Sequence, residues 1–417
     1  MEIRYRKQAM AVLFCTVLMN ATGFGIIIPV MPQLIMEVSA GGLTSAAFYN
    51  GWLMFAYAVM QFVFAPVIGN LSDRYGRRVV ILVSLAVFSV DFFIMAWAPT
   101  LYWLFVGRVF AGMAASTQGA ANAYIADIIE PDERAGRYGM LGAAFGIGFL
   151  VGPVIGGLLG EYGSRVPFLG GAVLGLINFL LALFFLRESL PVSKRRPLDL
   201  KGANPFSAFQ RVTKNPVFFW LLPVLFLYVL AHFVFPATWS YYTIVRFSWS
   251  PAEIGYSLGF VGILMVLVQG LLTKRAVSRI GAYYVCLIGL VVSLFSYIGY
   301  GLLPEGWMMY LVMLPGALSG FTMPAMQQLM TSSVREDRQG ELQGLITSLY
   351  SLTAILGPLI MTWLFSRFSD TTSGFYFPGM AFIFAAVLTS LSLLLLLWFR
   401  IFSKGRNLGK DDSAVNG

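Results

Sequence analysis

The apolar residues of this chain fall into twelve runs, each about as long as the roughly 20 residues a helix needs to cross the hydrocarbon core of a bilayer. The runs are 9–34, 46–70, 79–98, 101–126, 138–160, 167–187, 216–239, 252–273, 282–302, 306–330, 341–366 and 375–402, called segments 1–12 below. Hydrophobic residues make up 58% of the 417 and charged residues 11%, a balance that no water-soluble core of this size requires. The 43 glycines and 19 prolines do not argue against helix, because membrane helices tolerate both. The sequence therefore predicts an all-α membrane protein with twelve transmembrane helices.

Charge placement sets the expected topology. Of the 28 Lys and Arg, all but Arg108, Arg165, Arg246 and Arg367 lie in the two termini or in loops that follow even-numbered segments. Basic residues mark the cytoplasmic side, so both termini are expected in the cytoplasm. The net charge of +9 is then a topology signal. It is spread over short segments rather than gathered on one face, which excludes a nucleic-acid partner and leaves the bilayer as the basic residues' neighbour. The first run is too long for a cleaved leader and no small-residue cleavage site follows it. Cys15 and Cys286 lie inside segments 1 and 10's neighbour, segment 9, as small buried hydrophobes with neither disulfide nor metal spacing. With one histidine and no cluster of embedded acids, there is no material for a catalytic site. No enzyme, metal or cofactor is expected.

The chain repeats itself. PDERAGRYGM at 131–140 returns as REDRQGELQG at 335–344, Gly152-Pro153 returns as Gly357-Pro358, and Arg74-x-Gly76 returns as Arg279-x-Gly281. The common offset of 204 or 205 residues divides the chain into an N-terminal six-helix bundle (1–187), a cytoplasmic linker (188–214), a C-terminal six-helix bundle (215–402) and a polar tail (403–417) expected to be disordered. Two such halves suit rocking about a site near the bilayer midplane.

Four groups of residues stand out within this frame. In GNLSDRYGRR (69–78), Gly69 and Gly76 are expected to allow a tight reversal, with Asp73, Arg74 and Arg77 beside them. In segment 5, Gly148, Gly152, Gly156 and Gly160 share one face, with Gly157 adjacent and Pro153 able to bend the helix; the pattern predicts close approach of a neighbour. Arg108 lies about two turns inside segment 4, where a charge is costly and signals function. Asp91 is eight residues before Pro99 and Arg108 nine after it, so the two sit at similar depth on antiparallel neighbours, and a structural pair and a cavity-facing Arg108 both remain open. The fourth group is polar residues at helix-interior depth: Asn20, Gln61, Gln118, Asn122, Gln327 and Gln328, with His232 toward the outer end of segment 7. These either hold helices together or line a cavity. Trp239, Tyr241 and Tyr242 are expected in the interfacial belt, with gating or stacking on substrate as the alternative.

Two six-helix halves, the G-x-x-x-D-R-x-G-R-R turn, GRVFAG around Arg108 and GFLVGPVIGG in segment 5 resemble the major facilitator superfamily (MFS), and within it the tetracycline-exporter branch of the drug:proton antiporters. Similar strings include YAVMQFVFAPVIGNLSDRYGRR (57–78), AYIADIIEPDERAGRYGML (123–141) and DRQGELQGLITSLYSLTAILGPL (337–359), and the likeness covers nearly the whole chain. It implies an inner-membrane exporter, monomeric, driven by the proton gradient, carrying a small molecule in exchange for protons by alternating access. It further implies that segments 1, 4, 7 and 10 surround the cavity, with segment 3 outside. Asp73 would meet the N-terminal end of segment 11 while Arg77 bridges to Asp127, a latch on the cytoplasmic side.

The likeness breaks at the ionisable residues of that branch. Its acid in segment 1 is Asn20 here, its histidine in segment 8 is Met265, its acid in segment 9 is Ser293, and its histidine near segment 2 is Tyr49 or a neighbour. Arg108, with His232 as a second candidate, then stands in the cavity with no acid, and a lone cation in a low-dielectric cleft favours anionic or neutral ligands: a cargo with a carboxylate or another acceptor group, such as an amphipathic acid or a carboxylate siderophore. An importer of the same fold and a non-transporting receptor on this scaffold are the competing readings.

Overall fold

Segment 2 does not stop where its apolar run stops. In the computed structural model, which describes residues 3–115, 117–197, 216–334, 339–371 and 374–405, the second helix runs Leu43–Tyr75 and takes Gly69 and Asp73 into its last turns. The reversal belongs to Gly76 alone, at φ +109, a region open to glycine. Gly69, expected to share that role, has open space where a side chain would project.

The helices in chain order are α1 (Ile3–Ser39), α2 (Leu43–Tyr75), α3 (Arg77–Trp97), α4 (Leu101–Met113), α5 (Thr117–Ile128), α6 (Pro131–Gly160), α7 (Val166–Phe185), α8 (Pro216–His232), α9 (Val234–Phe247), α10 (Pro251–Leu267), α11 (Thr273–Leu302), α12 (Gly306–Gly316), α13 (Thr322–Ser332), α14 (Gln339–Phe368) and α15 (Met380–Gly405). Ten helical stretches among the described residues are long and apolar enough to span a membrane. The difference from twelve has two causes. Segment 4 is broken into α4 and α5, and segments 8 and 9 form one 52-residue stretch, Pro251–Leu302, whose helix is interrupted at Gly281 (φ 83, ψ 155). Segment 7 continues past its expected end at 239 to Phe247. Within the linker, 198–214 lies outside the described residues, as do Arg335–Arg338 of the repeat and the tail from 406.

Contacts group the chain into two compact units. One comprises Met1–Pro205, Phe235–Ile263 and Ala354–Pro378; the other comprises Phe206–Val234, Leu264–Thr353 and Gly379–Gly417. In the first unit the glycine face of α6 lies against α1. A Cβ on Gly152 would come 2.8 Å from Gly25 Cα, one on Gly156 2.7 Å from Ile26 Cα, and one on Gly160 2.6 Å from Val30 Cγ1. Gly157 points the other way, to α10, where its Cβ would lie 3.1 Å from Gly255 Cα. Backbone-to-backbone packing of this kind needs glycine, since hydrocarbon supplies no hydrophobic drive between helices and association rests on close contact. A polar clasp adds direction: Thr16 Oγ1 donates to Asn178 Oδ1 at 3.0 Å, and Asn178 Nδ2 donates back to the Thr16 carbonyl at 3.3 Å.

The turn at Gly76 is tied to the chain that follows α7. Glu188 accepts the backbone N–H groups of Arg77 (2.9 Å) and Arg78 (3.2 Å), two of the donors that the start of α3 leaves unpaired. A Cβ on Gly76 would collide with that carboxylate. The Arg196 N–H also donates to the Asp73 carbonyl at 3.2 Å, so the first residues of the linker lie along the turn.

In the second unit, buried Leu225, Tyr228, Leu290, Met326 and Leu345 form the centre of the core. Two irregular turns face one another there: a π-helical turn at Val268–Leu272 and a 3-10 turn at Ala317–Phe321. A Cβ on Gly320 would come 2.8 Å from Met265 Sδ.

Two substitutions test this packing. Gly152→Leu must separate α6 from α1 and is expected to cost about 1–3 kcal/mol or more from overpacking, read as a lower melting temperature in detergent. Gly69→Ala, with space around it, should leave melting unchanged or raise it by removing backbone freedom worth about 0.5–1 kcal/mol.

Candidate functional site

Segment 4 is interrupted near its middle. α4 ends at Met113 and α5 begins at Thr117, and the Ala115 carbonyl accepts a hydrogen bond from Gln61 Nε2 at 3.3 Å. Gly112, just before the break, lies so close to α2 that a Cβ would come 2.8 Å from Met60 Cβ. Inside a bilayer, irregular backbone is tolerated only where protein or a cavity receives its freed polar groups. Here both conditions hold: Ala114, Ala115 and Thr117 line a cavity of about 430 Å³ inside the first compact unit.

Apolar walls of Phe24, Phe88, Phe92 and Phe145 enclose polar groups from five helices: Asn20 on α1, Tyr57 and Gln61 on α2, Asp91 on α3, Arg108 on α4 and Gln118 on α5. Arg108 Nη2 and Asp91 Oδ2 form an ion pair. Both residues are buried, at 7% and 2% exposure. Gly107 makes room for it, since a Cβ there would stand 2.6 Å from Asp91 Oδ1. The Tyr57 ring faces the guanidinium, 5.7 Å from centroid to Cζ, an arrangement attractive to a cation. Three polar atoms of the cavity, Asn20 Oδ1, Asp91 Oδ1 and Arg108 Nε, are buried without a hydrogen-bond partner among the described residues. Such atoms are costly when left unpaired and are available to a ligand or water.

This geometry resolves the choice posed for Arg108: it is paired with Asp91, and the pair as a whole lines the cavity. Ser84, Phe88, Asp91 and Phe92 of α3 line this cavity, which takes all its residues from segments 1–5. One expectation is corrected: Arg108 is not a lone cation without an acid. The pair is net neutral, so the electrostatic argument for a carboxylate-bearing cargo loses its premise.

Asn122, one turn beyond Gln118, does not line this cavity. His232 ends α8 in the middle of segment 7 rather than near its outer end, with Tyr297 Oη 3.4 Å from its Nδ1 and Tyr228 stacked on its ring at 6.0 Å. Gln327 and Gln328 on α13 are exposed and belong to the second unit. Trp239, Tyr241 and Tyr242 are buried, at 1%, 2% and 0% exposure, rather than in an interfacial belt: Trp239 Nε1 donates to Ser257 Oγ at 3.0 Å. Ser293 is buried and donates to the Gly289 carbonyl at 2.7 Å. Among the described residues, no group of three or more His, Cys, Asp or Glu is placed to hold a metal ion.

At the Gly76 end of the same unit a second polar cluster forms. Arg77 pairs with Asp73 at 2.5 Å and with Asp127 at 3.3 Å. Ser189 Oγ also donates to Asp127 Oδ2, at 2.9 Å. Arg74 stands apart, exposed, its guanidinium 5.3 Å from the Tyr75 ring. Glu188 and Ser189 were not foreseen from the sequence; the available signal was an acid and a hydroxyl directly after segment 6, next in space to a glycine turn followed by two arginines.

The comparisons with known proteins agree with this architecture. Residues 13–358 and 278–413 match the Major Facilitator Superfamily profile. The class C tetracycline resistance protein of Escherichia coli is 39% identical over 368 residues, covering 88% of this chain and 92% of that protein. The class B protein of Escherichia coli is 32% identical, covering 91% and 94%. Among solved structures, the human organic anion transporter MFSD10 superposes with a TM-score of 0.68 at 21% identity, covering 94% of this chain and 99% of that one. The nucleoside transporter NupG superposes with a TM-score of 0.72 at 15% identity, covering 96% and 100%. On the extent of the profile match and of the likeness to the tetracycline resistance proteins, the chain belongs to the major facilitator superfamily.

Proposed function

We propose that the protein exports a small amphipathic molecule across the bacterial inner membrane by alternating access, in exchange for protons, with both termini in the cytoplasm. The observation that carries this reading is the Arg108–Asp91 pair lining a largely apolar cavity with aromatic walls inside a helical bundle. A charge pair buried inside a membrane is expensive to maintain and signals function. The cavity volume lies in the range of small-molecule sites, about 300–1,000 Å³. The named relatives make tetracyclines the first cargo to try. Asn20, Met265 and Ser293 stand where the tetracycline exporters have ionisable groups, so proton exchange would rest on Asp91, the carboxylate among the cavity-lining residues.

In this cycle a proton on Asp91 neutralises it and loosens its hold on Arg108, and cargo binds against the ionised pair. The protein needs to bind and orient only: Phe24 and Phe88 supply the apolar wall, while Asn20, Gln61 and Gln118 supply amide edges. Asp73, Arg77 and Asp127 act as the cytoplasmic latch, with Asp73 meeting the N-terminal end of α14 when that side closes. A carboxylate at a helix N-terminus contributes about 0.3–1 kcal/mol, enough to bias two states without locking either.

Uptake into everted vesicles, with and without an imposed pH gradient, tests the reading with tetracyclines, cationic dyes and carboxylate metabolites in parallel. Gradient-dependent uptake of at least one amphipathic compound is expected, and Arg108→Ala should abolish it while leaving Asp91 an unpaired buried charge that costs about 3–5 kcal/mol. Absence of uptake for every compound in vesicles that hold folded protein would count for the receptor reading. Asp73→Asn should lower turnover several-fold at unchanged protein level; normal turnover would remove the latch from the account.

A further inference from the structure

The start of α10 is capped almost completely by its own residues. Ser250, Pro251, Ala252 and Glu253 follow the S-x-x-E capping pattern: the Glu253 N–H donates to Ser250 Oγ at 3.3 Å, and the Ser250 N–H donates to Glu253 Oε2 at 2.8 Å. Pro251 has no N–H to satisfy, and the Ile254 N–H already reaches the Ser250 carbonyl at 3.1 Å. One donor of the first turn is left over, the N–H of Ala252. It is taken by Glu161, the residue directly after α6, whose Oε1 accepts it at 3.0 Å. The carboxylate comes from the other half of the chain, 91 positions away.

This contact sits at the end of a seam within the first unit. Below it, α6 and α10 touch backbone to backbone: a Cβ on Gly255 would come 2.5 Å from the Pro153 carbonyl oxygen and one on Gly160 2.9 Å from Pro251 Cβ. Ser240 Oγ on α9 donates to the Ile28 carbonyl on α1 at 2.7 Å, and Asn50 Nδ2 on α2 reaches the Ala237 carbonyl at 3.4 Å. Each of these contacts joins a helix of the first half to a helix of the second.

We infer that Glu161 is a positioning residue for the transport cycle: by capping α10 from α6 it holds this seam closed, as an outer latch opposite in side to the Asp73 turn. Opening the seam hands the Ala252 N–H back to water, and closing it recovers a charge-assisted bond to a helix N-terminus. The glycines let the helices meet, and the carboxylate biases how long they stay together. The side assigned to the latch rests on the proposed cytoplasmic placement of both termini.

The test uses full-length protein in intact cells, with Cys15 and Cys286 replaced by alanine. Ser240→Cys places a thiol inside the seam, where Ser240 is 2% exposed. Tyr162→Cys, at a residue 82% exposed, reports which side of the membrane this end occupies. A membrane-impermeant maleimide should label Tyr162→Cys from outside at once; failure there overturns the sidedness. Labelling of Ser240→Cys should quicken by about two- to fivefold in Glu161→Ala, less in Glu161→Gln, most in Glu161→Lys, and stay near the parent rate in Glu161→Asp, following the charge placed at the helix N-terminus. Equal rates across the series, with outside labelling of Tyr162→Cys intact, overturn the latch and leave the sidedness standing.

Discussion

The ion pair between Arg108 and Asp91 is the interaction around which the first unit is arranged. Two opposite charges can persist in an apolar bundle only when each neutralises the other and the surroundings receive their remaining polar atoms. Here Gly107 gives the carboxylate its space and Tyr57 offers its ring face to the guanidinium. The break in segment 4 brings Gln61 and Ala115 to the same cavity wall. Glycines on α6 allow α1 to close over it, with Asn20 and Phe24 projecting from α1 into the cavity.

A net-neutral pair also changes what the proposed site would select. A lone arginine would attract anions; a paired one presents a donor and an acceptor side by side within aromatic walls. In the proposed transport reading, shape and the three unpartnered polar atoms, rather than net charge, would discriminate between cargoes. The chain is similar over most of its length to tetracycline resistance proteins.

How far the sequence could be read depended on the range of the force involved. Segment positions follow from hydropathy, which is local. The common depth of Asp91 and Arg108 followed from counting outward from Pro99, because helix rise is constant. The side each helix presents was less accessible. Ser84, Phe88 and Asp91 of α3 face the cavity of the first unit, a rotation that no residue of α3 dictates alone. Trp239, Tyr241 and Tyr242 resemble an interfacial belt in composition, yet α9 continues past them and buries them. The roles of Glu188 and Glu161 lay beyond local reading altogether, since each completes the N-terminus of a helix that is distant in sequence.

In the proposed cycle Asp91 carries the exchanged proton while the rest of the cavity binds cargo. Asp91→Asn separates the two. In proteoliposomes loaded with cargo, the account predicts that this variant still exchanges labelled for unlabelled cargo at equilibrium but no longer accumulates it when a pH gradient is imposed. Gradient-driven accumulation that survives in Asp91→Asn would place the proton elsewhere and contradict the account.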